Sequence, residues 1–226
     1  PEDFRWFYQE GASRLFPDAW QHYIAAIPPV ERHDLISAFH RRLTSDDEAT
    51  RLAAARAWSV WEGATSFLHV DPDFVSSHQD AKFALAFARI ENHYFVNGGF
   101  FEVEDQLLRD AHRIVDIPGV IVHGRYDVVC PLANAWDLHQ AWPKARLEIT
   151  AAAGHSAFEP ANIDALVRAT DAFAAQTPGR ADRRPWKSAR DRRGPMPAAR
   201  GVPVSRRWAA AVAGWAGLPA GSAPAV

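Results

Sequence analysis

The sequence contains a single cysteine, Cys130, among 226 residues. One cysteine excludes an internal disulfide and a zinc site built from several cysteine ligands. The ten histidines show no His-Glu-x-x-His or comparable spacing, so we expect no metal ion and no other cofactor. No run of 18 apolar residues is present, which predicts that no helix spans a membrane. These absences favour a protein of a reducing compartment, and we expect a cytoplasmic location.

A large net charge of either sign is also lacking, because the formal charge of the whole chain is only −2. This balance hides a basic tail over residues 176–226, where ten Lys and Arg residues face only Asp182 and Asp191. The tail is rich in Pro, Ala and Arg and shows no periodicity, so we predict that it is disordered. A basic tail can bind nucleic acid or anionic lipid. We interpret it instead as a solvated extension and expect neither nucleic acid nor membrane as a partner.

Strand-like alternation is scarce in residues 1–110, and the pattern there is helical. Two features illustrate this helical pattern. Ser45 with Glu48 three residues later forms a capping-box pattern, which predicts a helix that begins after Ser45. Apolar residues recur at helical spacing at Leu35, Ile36, Phe39 and Leu43. With nine Trp and thirteen Phe in the chain, we expect this helical block to have an aromatic core.

Residues 111–175 have a different pattern. Two short runs rich in β-branched residues, "GVIVHG" and "ARLEIT", are typical of buried parallel strands. Helical patterns follow each of them, in "LANAWDLHQAWP" and in "NIDALVRATDAFAAQ", where Asn162 is the predicted N-cap. Strand, helix, strand and helix form a βαβα unit, so the sequence indicates the α/β class with parallel strands.

Asp127 and His155 each follow one of the two predicted strands. Parallel strands present their carboxyl ends at one edge of a sheet, where ligands bind in open α/β folds. Neighbouring strands would therefore bring the carboxylate to the imidazole, which suits a histidine that acts as general base and then as acid. The alternative is that Asp127 caps a turn and His155 is an ordinary loop histidine. Cys130, three residues after Asp127, is either near this site or a buried apolar residue.

Long segments of the chain resemble proline iminopeptidases, a family of serine aminopeptidases in the α/β-hydrolase superfamily. The resemblance covers residues 5–174. It rests on the following segments: "FYQEGASRLFPDAWQHYIAAIPPVER", "AARAWSVWEGATS", "FALAFARIENHYFVN", "GVIVHGRYDVVCP" and "GHSAFEP". The resemblance implies a helical cap domain over residues 1–110. It also implies that residues 111–175 are the C-terminal part of an α/β-hydrolase core.

The resemblance also implies roles for individual residues. Asp127 and His155 match the acid and the base of the family's Ser-His-Asp triad. Glu62 and Glu91 match the glutamates that bind the charged amino end of the substrate, and such carboxylates would hold the ammonium of a peptide with an N-terminal proline. Aromatic side chains would line the pocket for the pyrrolidine ring, and the residues expected there are Phe7 and Phe95.

The sequence lacks the Gly-x-Ser-x-Gly motif that carries the nucleophile in α/β-hydrolases. Ser156 adjoins His155, but it lacks the pair of flanking glycines, since Phe158 stands where the motif needs its second glycine, and it is not on a tight turn that leads directly from a strand into a helix. We therefore expect a chain that is truncated at its N-terminus and inactive alone. Two alternatives stay open: a non-catalytic fragment or binding module, and a capped α/β-hydrolase acting on esters or epoxides. An ester or an epoxide would need no carboxylates to bind an ammonium group.

Overall fold

The structure is a computed structural model that describes residues 2–176. Its helical part contains seven α-helices and several shorter turns. The α-helices are α1 (Glu2–Arg5), α2 (Pro17–Ala25), α3 (Leu35–Leu43), α4 (Glu48–Thr65), α5 (Pro72–Ser77), α6 (Ala81–Val96) and α7 (Gln106–Arg109). A π-helical turn spans Trp6–Glu10, and 3-10 turns span Ala12–Arg14, Pro29–Glu31, Gly98–Phe100 and Asp110–Arg113. The predicted basic tail lies outside the described residues, apart from Gln176.

Aspartate side chains cap the N-termini of α3, α4 and α6. Asp34 accepts from Ser37 N at 3.1 Å ahead of α3, and Asp80 accepts from Phe83 N at 2.8 Å ahead of α6. The N-cap of α4 is Asp47, which accepts from Thr50 N at 2.8 Å. The predicted N-cap at Ser45 is therefore wrong, because a nearer carboxylate accepts the free N–H of the first turn.

Aromatic side chains fill the centre of the helical part, as the composition predicts. Tyr23 stacks on Phe39 with ring centroids 4.6 Å apart, and Trp58 packs edge-on against Phe39 at 5.3 Å. Trp61 lies 5.3 Å from Phe7. All five side chains are almost fully buried. Large buried rings contribute most of the apolar area that stabilises such a small helical block.

Two parallel strands form the sheet of the described chain: β1 (Gly119–Gly124) and β2 (Ala145–Thr150). Both coincide with the predicted strands, and the register pairs Gly119 with Ala145 and Gly124 with Thr150. Helix α8 (Leu132–Ala141) connects the strands, and α9 (Pro160–Ala175) follows β2. Both helices pack on both strands. The α/β class and the parallel strands are therefore confirmed, whereas the division into domains at residue 110 stays a prediction.

Helix α9 begins earlier than predicted. Pro160 occupies its first turn, where the fixed φ of proline suits a helix and its missing N–H costs nothing. Asn162 is thus inside the helix, and its side chain is buried instead of capping the N-terminus. It donates to the carbonyls of Gly154 and Ser156 and accepts from Thr150 Oγ1. The predicted cap is wrong because the amide binds the turn before the helix.

The helical part contacts the loop that follows β1. Trp6 Nε1 donates to the carbonyl of Val128 at 2.8 Å, and Val129 packs into the aromatic core. This contact places the loop that carries Asp127 against helical residues distant in sequence. Across residues 2–176, none of the helices combines the length and the apolar character needed to cross a membrane.

Candidate active site

Asp127 and His155 meet at the carboxyl ends of the two strands. Asp127 Oδ2 accepts a hydrogen bond from His155 Nδ1 at 3.0 Å. The Asp127 side chain is 5% exposed and that of His155 is 38% exposed. Because the carboxylate binds Nδ1, the ring presents Nε2 as the nitrogen that can exchange a proton with a substrate.

Two further contacts orient the carboxylate of Asp127. Cys130 N donates to Asp127 Oδ1 at 2.8 Å. His123 Nε2 lies 3.4 Å from Asp127 Oδ2 and donates to the carbonyl of Cys130 at 2.9 Å. A carbonyl only accepts, so this nitrogen of His123 carries a hydrogen. The only sequence signal for His123 is its position four residues before Asp127, at the end of a strand.

The environment of His155 favours its protonated form. Burial opposes the positive charge, but the hydrogen bond with Asp127 and the neighbouring Cys130 outweigh it and raise the pKa of His155 from 6.5 to about 10. The imidazole is therefore cationic at neutral pH, bound to a buried carboxylate. It can act as a base only after it loses this proton, so the form that is competent as a base becomes more populated as pH rises.

Two glycines allow the Asp127 and His155 loops to approach each other. A Cβ at Gly124 would lie 2.0 Å from the carbonyl oxygen of Gly154 and 2.6 Å from that of Ala153. A Cβ at Gly154 would lie 3.0 Å from Glu159 Oε1 and from Leu68 N. Glycine at these positions therefore allows the two loops to lie closer together than any side chain would permit.

Glu159 joins the turn before His155 to the segment that follows α4. This buried carboxylate accepts from Gly154 N at 2.6 Å and from Leu68 N at 3.0 Å. Ser156 N donates to the carbonyl of Ser66 at 2.8 Å alongside. The base is therefore fixed relative to the C-terminal end of α4. Nothing in the sequence pattern distinguished Glu159 from an exposed helix-capping residue.

Replacing Glu159 by Ala should lower the free energy of unfolding by about 2–4 kcal/mol, because two buried N–H groups lose their acceptor. Glu159→Gln is the matched control, since its carboxamide oxygen can still accept both hydrogen bonds, and we expect it to cost less than half as much. Urea denaturation of the three proteins measures both changes. Equal destabilisation by Ala and Gln would show that the charge, and not the acceptor, matters.

Ser156 is not placed as a nucleophile. It is buried, and its Oγ accepts from Phe158 N at 3.2 Å within the turn. Its backbone is fixed from both sides, with the N–H donating to Ser66 and the carbonyl accepting from Asn162. Among the described residues, no hydrogen bond joins the hydroxyl of Ser156 to His155. The neighbour of His155 in sequence is thus a structural residue.

Glu62 and Glu91 belong to two different helices and interact electrostatically with each other and with His155. Glu62 belongs to α4 and is 5% exposed, and Glu91 belongs to α6 and is half-buried. Burial and the charge of Glu91 raise the pKa of Glu62 well above its usual value. Burial raises the pKa of Glu91 to about 7, against the opposing effects of Trp58 and His155. Two carboxylates with raised pKa values form a site that is stabilised by a cation.

Aromatic residues surround these carboxylates. Phe7 is 1% exposed and packs in the aromatic core between Tyr8 and Trp61. Phe95 is partly exposed, 4.4 Å from Phe4 and 5.1 Å from Tyr8. It borders an open cavity of about 550 Å³ on the surface of the helical part. Of the two predicted pocket residues, Phe95 is therefore the one that a ligand can reach here, and the role of both stays a prediction.

A cavity of about 300 Å³ lies beside the Asp127–His155 pair. Its walls include Cys130, Ala157 and Leu166, so it is apolar with a charged edge. Within residues 2–176, no group of His, Cys, Asp and Glu residues has an arrangement suited to a metal ion. This edge of the sheet therefore offers acid–base groups beside a largely apolar cavity. Glu62 and Glu91 do not line that cavity, but both interact electrostatically with His155.

Comparison with known proteins identifies the family to which the chain belongs. The family model described as alpha/beta hydrolase fold matches residues 9–161. The proline iminopeptidase of Xanthomonas citri is 85% identical over 172 residues, which are 76% of this chain and 55% of the relative. That of Xylella fastidiosa (strain Temecula1) is 83% identical over 171 residues, with the same shares. The proline iminopeptidase of Arabidopsis thaliana is 49% identical over 77% of this chain and 46% of its own length. The chain thus spans about half the length of the curated relatives it matches.

Proposed function

The chain belongs to the α/β-hydrolase family, and from this premise we propose that it supplies the acid, the base and the amine-binding site of a serine aminopeptidase. The substrate we propose is a peptide with an N-terminal proline, the residue that gives the similar enzymes their name. The observation that supports the proposal is that Glu62 and Glu91 interact electrostatically with each other and with His155 of the Asp127–His155 pair.

In the proposed reaction, a serine hydroxyl attacks the carbonyl carbon of the N-terminal residue. His155 accepts the hydroxyl proton and then donates it to the nitrogen of the leaving peptide, while Asp127 stabilises the imidazolium. Water then hydrolyses the acyl-enzyme through the same residues and releases proline. The 226 residues contain no Gly-x-Ser-x-Gly motif, so we propose that the serine and the oxyanion hole are not supplied by this chain and that the chain alone is inactive.

The carboxylate pair explains why a free amino terminus would be required. An N-terminal proline carries a secondary ammonium, whereas an internal proline is an uncharged tertiary amide. The ammonium would hydrogen-bond two carboxylates that burial otherwise destabilises in their charged form. An internal proline would leave both carboxylates without a counter-charge. The pair therefore selects for the end of a peptide.

Each of the two alternative functions can be weighed against one observation. The missing nucleophile motif favours a non-catalytic fragment or a binding module that recognises amino termini without cleaving them. A hydrolase of esters or epoxides would also use Asp127 and His155. Its substrate, however, has no ammonium group, so this function would not explain the two carboxylates, Glu62 and Glu91, that interact with the base. A cytoplasmic location, which the single cysteine favours, stays a prediction.

Binding of prolinamide to the purified chain tests the amine-binding part of the proposal. We expect chemical-shift changes for Glu62 and Glu91 on titration with prolinamide, and a dissociation constant at least about tenfold higher for Glu62→Gln, because a charge-assisted hydrogen bond is lost. N-acetylprolinamide is the matched ligand control, since it has the same ring and carboxamide but no ammonium. Equal binding of the two ligands would contradict the proposal.

A further inference from the structure

Each carboxylate of the Glu62/Glu91 pair is bound by one aromatic donor. The hydroxyl of Tyr8 donates to Glu62 Oε1. Trp58 Nε1 donates to Glu91 Oε2 at 2.9 Å. Tyr8 is 4% exposed and Trp58 is completely buried, so neither donor can use water instead.

The two aromatic donors are in direct contact with each other. The ring of Tyr8 stacks on that of Trp58 with centroids 4.4 Å apart and an interplanar angle of 18°. Tyr8 comes from the π-helical turn, whereas Trp58 lies on α4, one helical turn before Glu62. Trp58 reaches across to Glu91 on α6. The stacked pair therefore connects the π-helical turn, α4 and α6, and links the two carboxylates through their donors.

This arrangement leaves one oxygen of each carboxylate for a ligand. Within residues 2–176, Glu62 Oε2 and Glu91 Oε1 accept no hydrogen bond from the protein. An ionised carboxylate has acceptor sites on both oxygens. The aromatic donors thus fix the rotation of each carboxylate and determine where its second oxygen points.

We propose that Tyr8 and Trp58 are positioning residues: the stacked pair holds one oxygen of Glu62 and one of Glu91, and so sets the spacing at which the other two oxygens bind the substrate's ammonium. This inference rests on the proposed amine-binding function. It adds two residues that contact the carboxylates instead of the substrate. Aromatic packing alone would not require the hydroxyl of Tyr8, since phenylalanine fills nearly the same volume.

Tyr23 provides a matched control for Tyr8 in the same core. It is 1% exposed and lies 5.7 Å from Trp61 and 6.1 Å from Trp58. Its hydroxyl has no hydrogen-bond partner among the described residues. Tyr23→Phe therefore removes a buried hydroxyl that binds nothing, whereas Tyr8→Phe removes one that binds Glu62. The two variants make the same chemical change at comparable burial.

The first measurement needs no ligand: a carbon-13 NMR titration of the glutamate carboxyl groups in the full chain. The hydrogen bond from Tyr8 lowers the pKa of Glu62 against the effect of burial. In Tyr8→Phe we expect the titration of the Glu62/Glu91 pair to move to higher pH, and in Tyr23→Phe we expect it to stay at the wild-type position. In Trp58→Phe the pKa of Glu91 should rise above about 7 for the same reason. A wild-type titration in Tyr8→Phe would overturn the inference.

The second measurement is prolinamide binding by the same proteins. We expect the dissociation constant to rise about tenfold in Tyr8→Phe, as for the loss of a hydrogen bond to a charged group, and to stay unchanged in Tyr23→Phe. Equal weakening in both variants would show a merely structural role and overturn the inference. The wild-type protein could fail to bind prolinamide while the titration still differs between the two variants. In that case the proposed function is wrong, and the positioning of the carboxylates by the aromatic residues is still supported.

Discussion

The purified chain should hydrolyse proline p-nitroanilide no faster than buffer. When it is joined to the part of the Xanthomonas citri relative that lies outside the matched segment, turnover should become easily measurable. The chain has no nucleophile motif, and it covers 55% of that relative. Without a serine nucleophile and an oxyanion hole, Asp127 and His155 have no group to activate. Because the matched segment is 85% identical, the joined protein should form the same contacts.

His155→Ala in the joined protein is the internal control. Removing the base of a triad lowers kcat by about 10⁴-fold or more, whereas binding is largely retained. We therefore expect a joined protein that turns over the substrate and a His155→Ala variant that is slower by at least this factor. Two results would contradict the proposed function: turnover by the isolated chain, or a joined protein whose activity does not depend on His155.

The pH dependence of the joined protein should reflect two sets of groups. The carboxylate pair must be ionised to bind an ammonium, and burial raises the pKa of both glutamates, that of Glu91 to about 7. His155 must be neutral to accept a proton, and its pKa is raised to about 10. Both requirements place activity on the alkaline side. The α-amino group of a peptide has a pKa of about 8, so it loses its charge before most of His155 is neutral, and we expect a narrow bell-shaped profile on the alkaline side.

Local patterns predicted the strands and the chemistry that follows them. The runs "GVIVHG" and "ARLEIT" coincide with β1 and β2, and the parallel pairing follows from the helix between them. Asp127 and His155 then meet because parallel strands end at the same edge. Each of these inferences depends on neighbours in sequence or on a general property of parallel sheets, so a single sequence carries enough information.

Contacts between distant segments could not be predicted in this way. Nothing near Tyr8 in sequence indicates that its hydroxyl binds Glu62, 54 positions later. Glu159 binds Leu68 N across 91 positions, and Asn162, which looked like a helix cap, binds the turn before it. These residues satisfy buried polar groups that arise only when the helical part packs against the strands. Periodicity reports which side of an element is buried, but not which buried polar atoms meet.

Asp127→Asn should lower the pKa of His155 from about 10 by at least about one unit, a fall of at least about tenfold in proton affinity. In the wild type, burial disfavours the imidazolium, and the hydrogen bonds and charges of Asp127 and Cys130 together more than compensate. An asparagine keeps a similar shape but supplies no negative charge, so the largest contribution that opposes burial would be lost. Proton NMR of the His155 ring as a function of pH measures the change in the chain as it is, without a nucleophile.

The same substitution should change how stability depends on pH. His155 has a higher pKa in the folded than in the unfolded protein, so its pairing with Asp127 stabilises the fold fully below pH 6.5, and the contribution disappears as pH rises toward 10. The difference in stability between wild type and Asp127→Asn should therefore be larger at pH 6 than at pH 10. Asp164→Asn is a matched control, because this exposed carboxylate on α9 pairs with Arg168 and does not contact His155. An unchanged His155 titration in Asp127→Asn would mean that the 3.0 Å contact does not determine the charge of the base, and the assignment of Asp127 as the triad acid would fail with it.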